Sequence, residues 1–110
     1  MLKFCIHPLS VNKCFQGRRF KTPDYQIYEG EMLWLLKAEK CKIIHGWVEV
    51  YYKFYLKNYK TTDVGNLEKP LSDIIVKAKL IDDDRFIKKI TLEKVESEED
   101  MIEIKINKIK

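Results

Sequence analysis

Asp63, Asn66, Lys69 and Asp73 fall within eleven residues, and Asp82-Asp83-Asp84 begins nine residues further on. Carboxylates at two separated positions can converge on one hard divalent cation, because such ions take oxygen ligands. A lysine beside them adds a fixed positive charge. That combination suits hydrolysis of a phosphodiester. The ester is anionic and repels hydroxide; a bound cation offsets the charge, polarises the phosphoryl oxygen and lowers the pKa of an attacking water. Lys69 would then steady the charge that develops on oxygen or assist the leaving group. Taken singly, Asp63 and Asn66 are good helix caps, Asp82 to Asp84 is an acidic turn and Lys69 is a surface lysine. Only the four features together point to a metal site.

The elements that must position these residues are legible from periodicity. Leu2, Phe4 and Ile6 alternate with Lys3, Cys5 and His7, a strand stopped by Pro8. Ser10 to Phe15 reads as loop, and Gly17 to Lys21 as a basic turn or short strand. Thr22-Pro23-Asp24 is a helix start: a capping hydroxyl, proline at the first helical position, an acid at the positive end of the dipole. The helix is expected over 23–40. From Ile43 to Tyr55 the period is two, with Val48, Val50, Tyr52 and Phe54 on one face, which predicts a long strand. Asp63 or Gly65 opens a second helix, with Leu67, Leu71, Ile74, Ile75 and Ala78 on its apolar face and Pro70 in its first turns. Residues 86–95 and 101–109 alternate again, and Ser97 to Asp100 between them reads as a hairpin turn. The expected fold is a small single α/β (α+β) domain over residues 1–110, with a mixed β-sheet and two main helices.

Composition narrows the setting. The chain has 110 residues, 45% of them hydrophobic and 35% charged, enough for one real core. It has no apolar run long enough for a membrane span, and its N-terminus lacks the regions of a signal peptide. An intracellular protein is expected. Three cysteines with no Cys-x-x-Cys pair read as free thiols, and with His7 and His45 they match no zinc spacing. The net charge of +4 is uneven: residues 1–62 carry eleven Lys/Arg against five Asp/Glu, and residues 63–110 carry ten against twelve. A basic front half can hold a phosphate backbone while the acidic back half holds the metal. Lys13, Arg18, Arg19, Lys21, Lys57 and Lys60 are the candidate DNA contacts. Phe15, Phe20 and Tyr59 near the same loops are candidates to stack on or wedge against bases.

The stretch Asp63-x-x-Asn66-Leu67-x-Lys69-Pro70-Leu71-x-Asp73, a helix, and then Ile81-Asp82-Asp83-Asp84-Arg85-Phe86 resembles the RusA family of Holliday junction resolvases. A weaker echo is Pro8-Leu9-Ser10-Val11-Asn12-Lys13-Cys14-Phe15, which is similar to the family's loop after the first strand. The resemblance implies an endodeoxyribonuclease of bacteria or their phages, cytoplasmic, acting in DNA recombination and repair. It implies a homodimer that cuts four-way DNA by paired nicks, with Mg2+ as cofactor and Mn2+ as substitute; no protein partner is inferred. Carried over by position, Asp63, Lys69 and Asp83 are the catalytic residues, Asp63, Asp82 and Asp83 the metal ligands, and Asn66 a substrate contact. One position departs from the family pattern. Gly65 stands where a second aspartate is usual, so one carboxylate is missing, and Asp82, Asp84 or Glu68 would have to compensate. Two further readings follow. One is a junction-binding protein of the same fold with weakened or lost catalysis. The other is a small α/β interaction module whose acidic cluster is a docking surface.

Overall fold

The alternating apolar residues of Val48–Leu56 (β4) are buried at every second position, and this strand forms the middle of the sheet. Both of its neighbours follow it in sequence. Met101–Lys108 (β6) pairs with it antiparallel, and Ile87–Glu96 (β5) pairs with it parallel on the other side. Leu2–Phe4 (β1) pairs antiparallel with β6 at the far edge, giving the order β1-β6-β4-β5. The computed structural model describes residues 2–16 and 20–109. A small two-stranded hairpin, Phe15–Gln16 (β2) with Phe20–Lys21 (β3), leads into the first helix, and Gly17, Arg18 and Arg19 lie outside the described residues.

Pro23–Ala38 (α1) starts where the sequence signals it. The Thr22 hydroxyl accepts the Tyr25 N–H at 3.1 Å, and Pro23 takes the first turn, where an N–H would be unused. Gly65–Lys77 (α2) buries Leu67, Leu71, Ile74 and Ile75. Pro70 lies inside it, one turn after Asn66, whose carbonyl therefore loses its usual helical donor. Both helices pack on one face of the sheet. Tyr25, Tyr28, Met32 and Leu36 of α1 join the apolar side of α2, Val50, Tyr52 and Phe54 of β4, and Ile102 and Ile104 of β6 in one core. The sheet's other face is open and polar, with a depression of about 500 Å³ bordered by Glu49, Tyr51, Lys53, Lys89, Glu103 and Lys105. Among the described residues no helix is long and apolar enough to cross a membrane.

Two expectations are corrected. The strand expected from Ile43 begins only at Val48; before it lies a single parallel bridge, Ile44 to Ile81. Gly46 has φ +81, a left-handed conformation that interrupts extended chain, so the periodic pattern outruns the ladder. Ser97 to Asp100 is not a hairpin turn, because β4 lies between β5 and β6. The connection passes the end of β4 instead: the Ser97 N–H donates to the Leu56 carbonyl and the Lys57 N–H to the Asp100 carboxylate. β4 takes the centre because its apolar side is buried throughout, whereas β5 is exposed over Lys88–Thr91 and suits an edge.

Candidate functional site

Because β4 and β5 run parallel, the chain must cross from one end of the sheet to the other, and α2 is that crossover. Asp63 sits where β4 has ended and α2 is about to begin. Its carboxylate accepts the Gly65 N–H at 3.0 Å and its carbonyl accepts the Asn66 N–H at 3.1 Å, a local turn that leads into the helix, whose cap position is Val64. Asp63, Asn66 and Lys13 share one hollow of about 330 Å³, with His7, Ser10 and Thr62 also on its wall. Lys13 on its wall favours a phosphate oxygen, while the first N–H groups of α2 are already taken, those of Gly65 and Asn66 by Asp63 and that of Leu67 by the Val64 carbonyl.

The walls of the hollow are tied down by residues that sequence reasoning did not single out. Asp100 accepts from the Lys57 N–H at 2.9 Å and pairs with His7 Nδ1 at 2.6 Å, joining the loop after β1 to the end of β4. Burial alone would raise the Asp100 carboxyl; the Lys57 N–H and His7 outweigh it and hold the group below its ordinary value. Lys94, on β5, donates to the carbonyls of Tyr59 and Thr62 at 2.7 and 3.0 Å and lies over the Tyr59 ring. The loop that delivers Asp63 is thereby fixed. No local pattern marks Asp100 or Lys94, because their partners lie more than thirty residues away.

Lys69 lies about one turn into α2, roughly 6 Å along the axis from Gly65. Its ammonium donates to Asp73 at 2.8 Å and to Asp84 at 3.0 Å. These two carboxylates, Asp73 first, push the Lys69 pKa well above the ordinary lysine value, so it stays cationic near neutral pH. Asp84 is held below the usual carboxylate range, first by Lys69 and next by the adjoining Asp83. The member of the acidic triplet that meets Lys69 is therefore Asp84, which the sequence reading held only in reserve. The Lys69–Asp73 half of the group was visible as an i, i+4 pair. The Asp84 half was not, since three adjacent aspartates look alike until the Asp84–Phe86 turn aims one of them.

The other two members point elsewhere. Asp83 lies 3.8 Å from the Arg85 guanidinium. Asp82 uses both oxygens on the segment before β4: one faces His45 Nδ1 at 2.8 Å and the other accepts the Gly46 N–H at 2.9 Å. The Gly46 N–H, and then His45, lower its pKa. None of the triplet lines the hollow that holds Asp63.

The proposed DNA contacts divide in the same way. Lys13 lines the hollow, and Lys57 and Lys60 are exposed on the loop that borders it. Lys21 is bound to Glu29 at 3.0 Å, which Lys77 of α2 also reaches at 2.8 Å. Arg18 and Arg19 lie outside the described residues. Phe15 packs edge-on against Tyr25, and Tyr59 is covered by Lys94. Phe20 pairs in the small hairpin through its backbone.

In kind, the carboxylate oxygens suit a hard cation, and magnesium commonly keeps several waters. In place, among the described residues no group of three or more His, Cys, Asp or Glu side chains is gathered to hold a metal ion. The arrangement offers a hollow with one carboxylate and a lysine on its wall, and about one turn into α2 a cationic lysine between two other carboxylates. A family model described as "Endodeoxyribonuclease RusA" matches residues 10–107. No curated protein matches the chain.

Proposed function

We propose that this chain, which belongs to the RusA endodeoxyribonuclease family, is a magnesium-dependent, structure-selective endonuclease. It resolves four-way DNA by paired symmetric nicks, as a homodimer, in the cytoplasm of a bacterial or phage-infected cell. The observation that carries this reading is the placement of Lys69, cationic and held between Asp73 and Asp84, on the helix that Asp63 leads into. A phosphate seated at the helix start, near Asn66 and Lys13, lies at the end of α2 from which Lys69 extends.

Lys69 carries the positive charge. It is already protonated near neutral pH and has no lone pair to act as a base, so its role is to offset charge on the phosphoryl oxygens or on the departing oxygen. Asp73 and Asp84 restrain the side chain and would share it with the incoming phosphate. Asp63 and Asp83 are the proposed metal ligands, completed by waters and DNA. Asp82, with both oxygens engaged, contributes by holding the neighbouring chain. When bound, the magnesium ion supplies charge neutralisation and a more acidic attacking water. A homodimer matches the chemistry, because two symmetric strands are nicked and a two-fold protein presents two equivalent sites.

Gly65 favours a second reading, a junction binder with little or no cleavage. The structure makes the two readings separable by one substitution. A Cβ at Gly65 would meet only the Asp63 carboxylate oxygen, at 3.4 Å, so the backbone there accepts a side chain. The expected outcome is nicking of a synthetic four-way junction in magnesium by the unmodified chain, and faster nicking by Gly65→Asp. Cleavage by Gly65→Asp alone would establish the second reading. Absence of nicking by both, at every protein and magnesium concentration, would remove the nuclease.

A further inference from the structure

Trp47 is 53% exposed, yet it is held from several directions. Its ring meets Phe86 edge-to-face at 5.4 Å between centroids, with 72° between the planes. The Arg85 guanidinium lies 5.0 Å from the centre of the Phe86 ring. The Trp47 carbonyl accepts the Ile109 N–H at 2.9 Å. Immediately before it, Gly46 and His45 are clamped by the two oxygens of Asp82. An indole so anchored and still half open is not core filler.

Its location supplies the ligand. Arg85 and Phe86 belong to the same short turn, Asp84–Phe86, whose first carboxylate holds Lys69. The aromatic corner and the carboxylate that meets Lys69 are thus carried by one short turn. A flat apolar surface with a guanidinium beside it fits a nucleobase with its phosphate. In a continuous duplex both faces of every base are covered by its neighbours. A base presents a free face only at a branch, a nick or a single strand.

We infer that Trp47 is a stacking platform for an unpaired or unstacked base at the DNA branch point, and that it selects branched over continuous DNA. The inference rests on the junction-nuclease reading and names the residue through which that site distinguishes its substrate. Arg85 supplies the phosphate contact next to the stacked base. Asp82 is a positioning residue: it contacts no DNA but sets the backbone from which Trp47 projects.

The test uses the full chain carrying Trp34→Phe, which leaves Trp47 as the single indole. Magnesium-free buffer keeps the DNA intact. A four-way junction with 2-aminopurine at the branch, the same junction labelled in an arm, and a matched duplex are titrated. Expected is quenching of Trp47 and of the branch 2-aminopurine together, with little change from the arm label or the duplex. Trp47→Leu should bind the junction about tenfold or more weakly with duplex affinity unchanged, and Trp47→Phe should recover part of the loss. Asp82→Ala should weaken the quenching, and Asp82→Asn, which still accepts the Gly46 N–H, should restore it. Tight junction binding with unaltered Trp47 fluorescence would overturn the platform while leaving the nuclease reading in place. Failure of the parent protein to bind any junction overturns both. The fluorescence of the parent needs no Trp47 variant, so misfolding of one cannot obscure the answer.

Discussion

At the scale of single residues, Lys69 separates charge chemistry from stability. It is more than half exposed, and solvent-exposed ion pairs contribute at most about 1 kcal/mol. Lys69→Gln should therefore leave the melting temperature nearly unchanged while lowering the junction-cleavage rate by about a hundredfold or more, with binding retained. A melt and a single-turnover assay on the same sample check this. The sign of its pKa shift adds a second expectation. A raised folded-state pKa means the cation, and whatever stability it brings, is fully present below the ordinary lysine value and is lost only above it. A basic limb in the pH–rate profile between neutrality and that value would thus belong to another group. Cys14 adds nothing in this range: burial pushes its thiol up to about 11, so it remains protonated.

At the scale of elements, the two helices are joined by one carboxylate. Glu29 of α1 is buried, and Lys77 at the end of α2 and Lys21 of β3 both donate to it. Burial would raise its pKa, but the Lys77 and Lys21 hydrogen bonds outweigh this and lower it. A lowered folded-state pKa places its stabilisation above the ordinary glutamate pKa, lost as the pH falls through the folded value. Glu29→Gln should cost about 1–2 kcal/mol in urea unfolding at pH 7, after discounting for the exposure of both lysines. Once the pH has fallen below the lowered folded-state value, the variant and the parent should converge. Equal stabilities at pH 7 would show that the bridge is idle. The elements themselves were partly legible. Thr22-Pro23-Asp24 marks α1 because caps and fixed φ act within one turn, and the alternation of Val48 to Phe54 marks β4 because side chains on a strand alternate by geometry. The start of β4 was misjudged because its pattern continues through Ile43 to Trp47, while Gly46 and the Asp82 clamp, thirty-six residues away, end the ladder.

At the scale of the whole molecule, one helix face of the sheet is sealed and the other is open, polar and of mixed charge. The basic excess lies with the front half; its Lys13 lines the Asp63 hollow, and Lys57 and Lys60 are exposed on the loop whose Asn58, Thr61 and Thr62 form part of the wall. Paired nicking requires two such sites in fixed relation. Sedimentation should therefore give the mass of two chains at concentrations where junctions are cut symmetrically. A species of one chain that still makes both nicks at matched positions would remove the dimer from the proposal.

The sequence by itself determined what short-range chemistry can encode: the helix starts, the strand faces, the apolar content of one core, and the acid–amide–lysine motif that marks the family. Tertiary structure decided the rest. It placed β4 between two strands that are consecutive along the chain, chose Asp84 rather than its twin neighbours to meet Lys69, and turned Asp82 back onto the residues before Trp47. The physical reason is range. Caps and periodicity act over a few residues of backbone, whereas strand order and the aim of one carboxylate among three depend on packing between segments that meet only when the chain is folded.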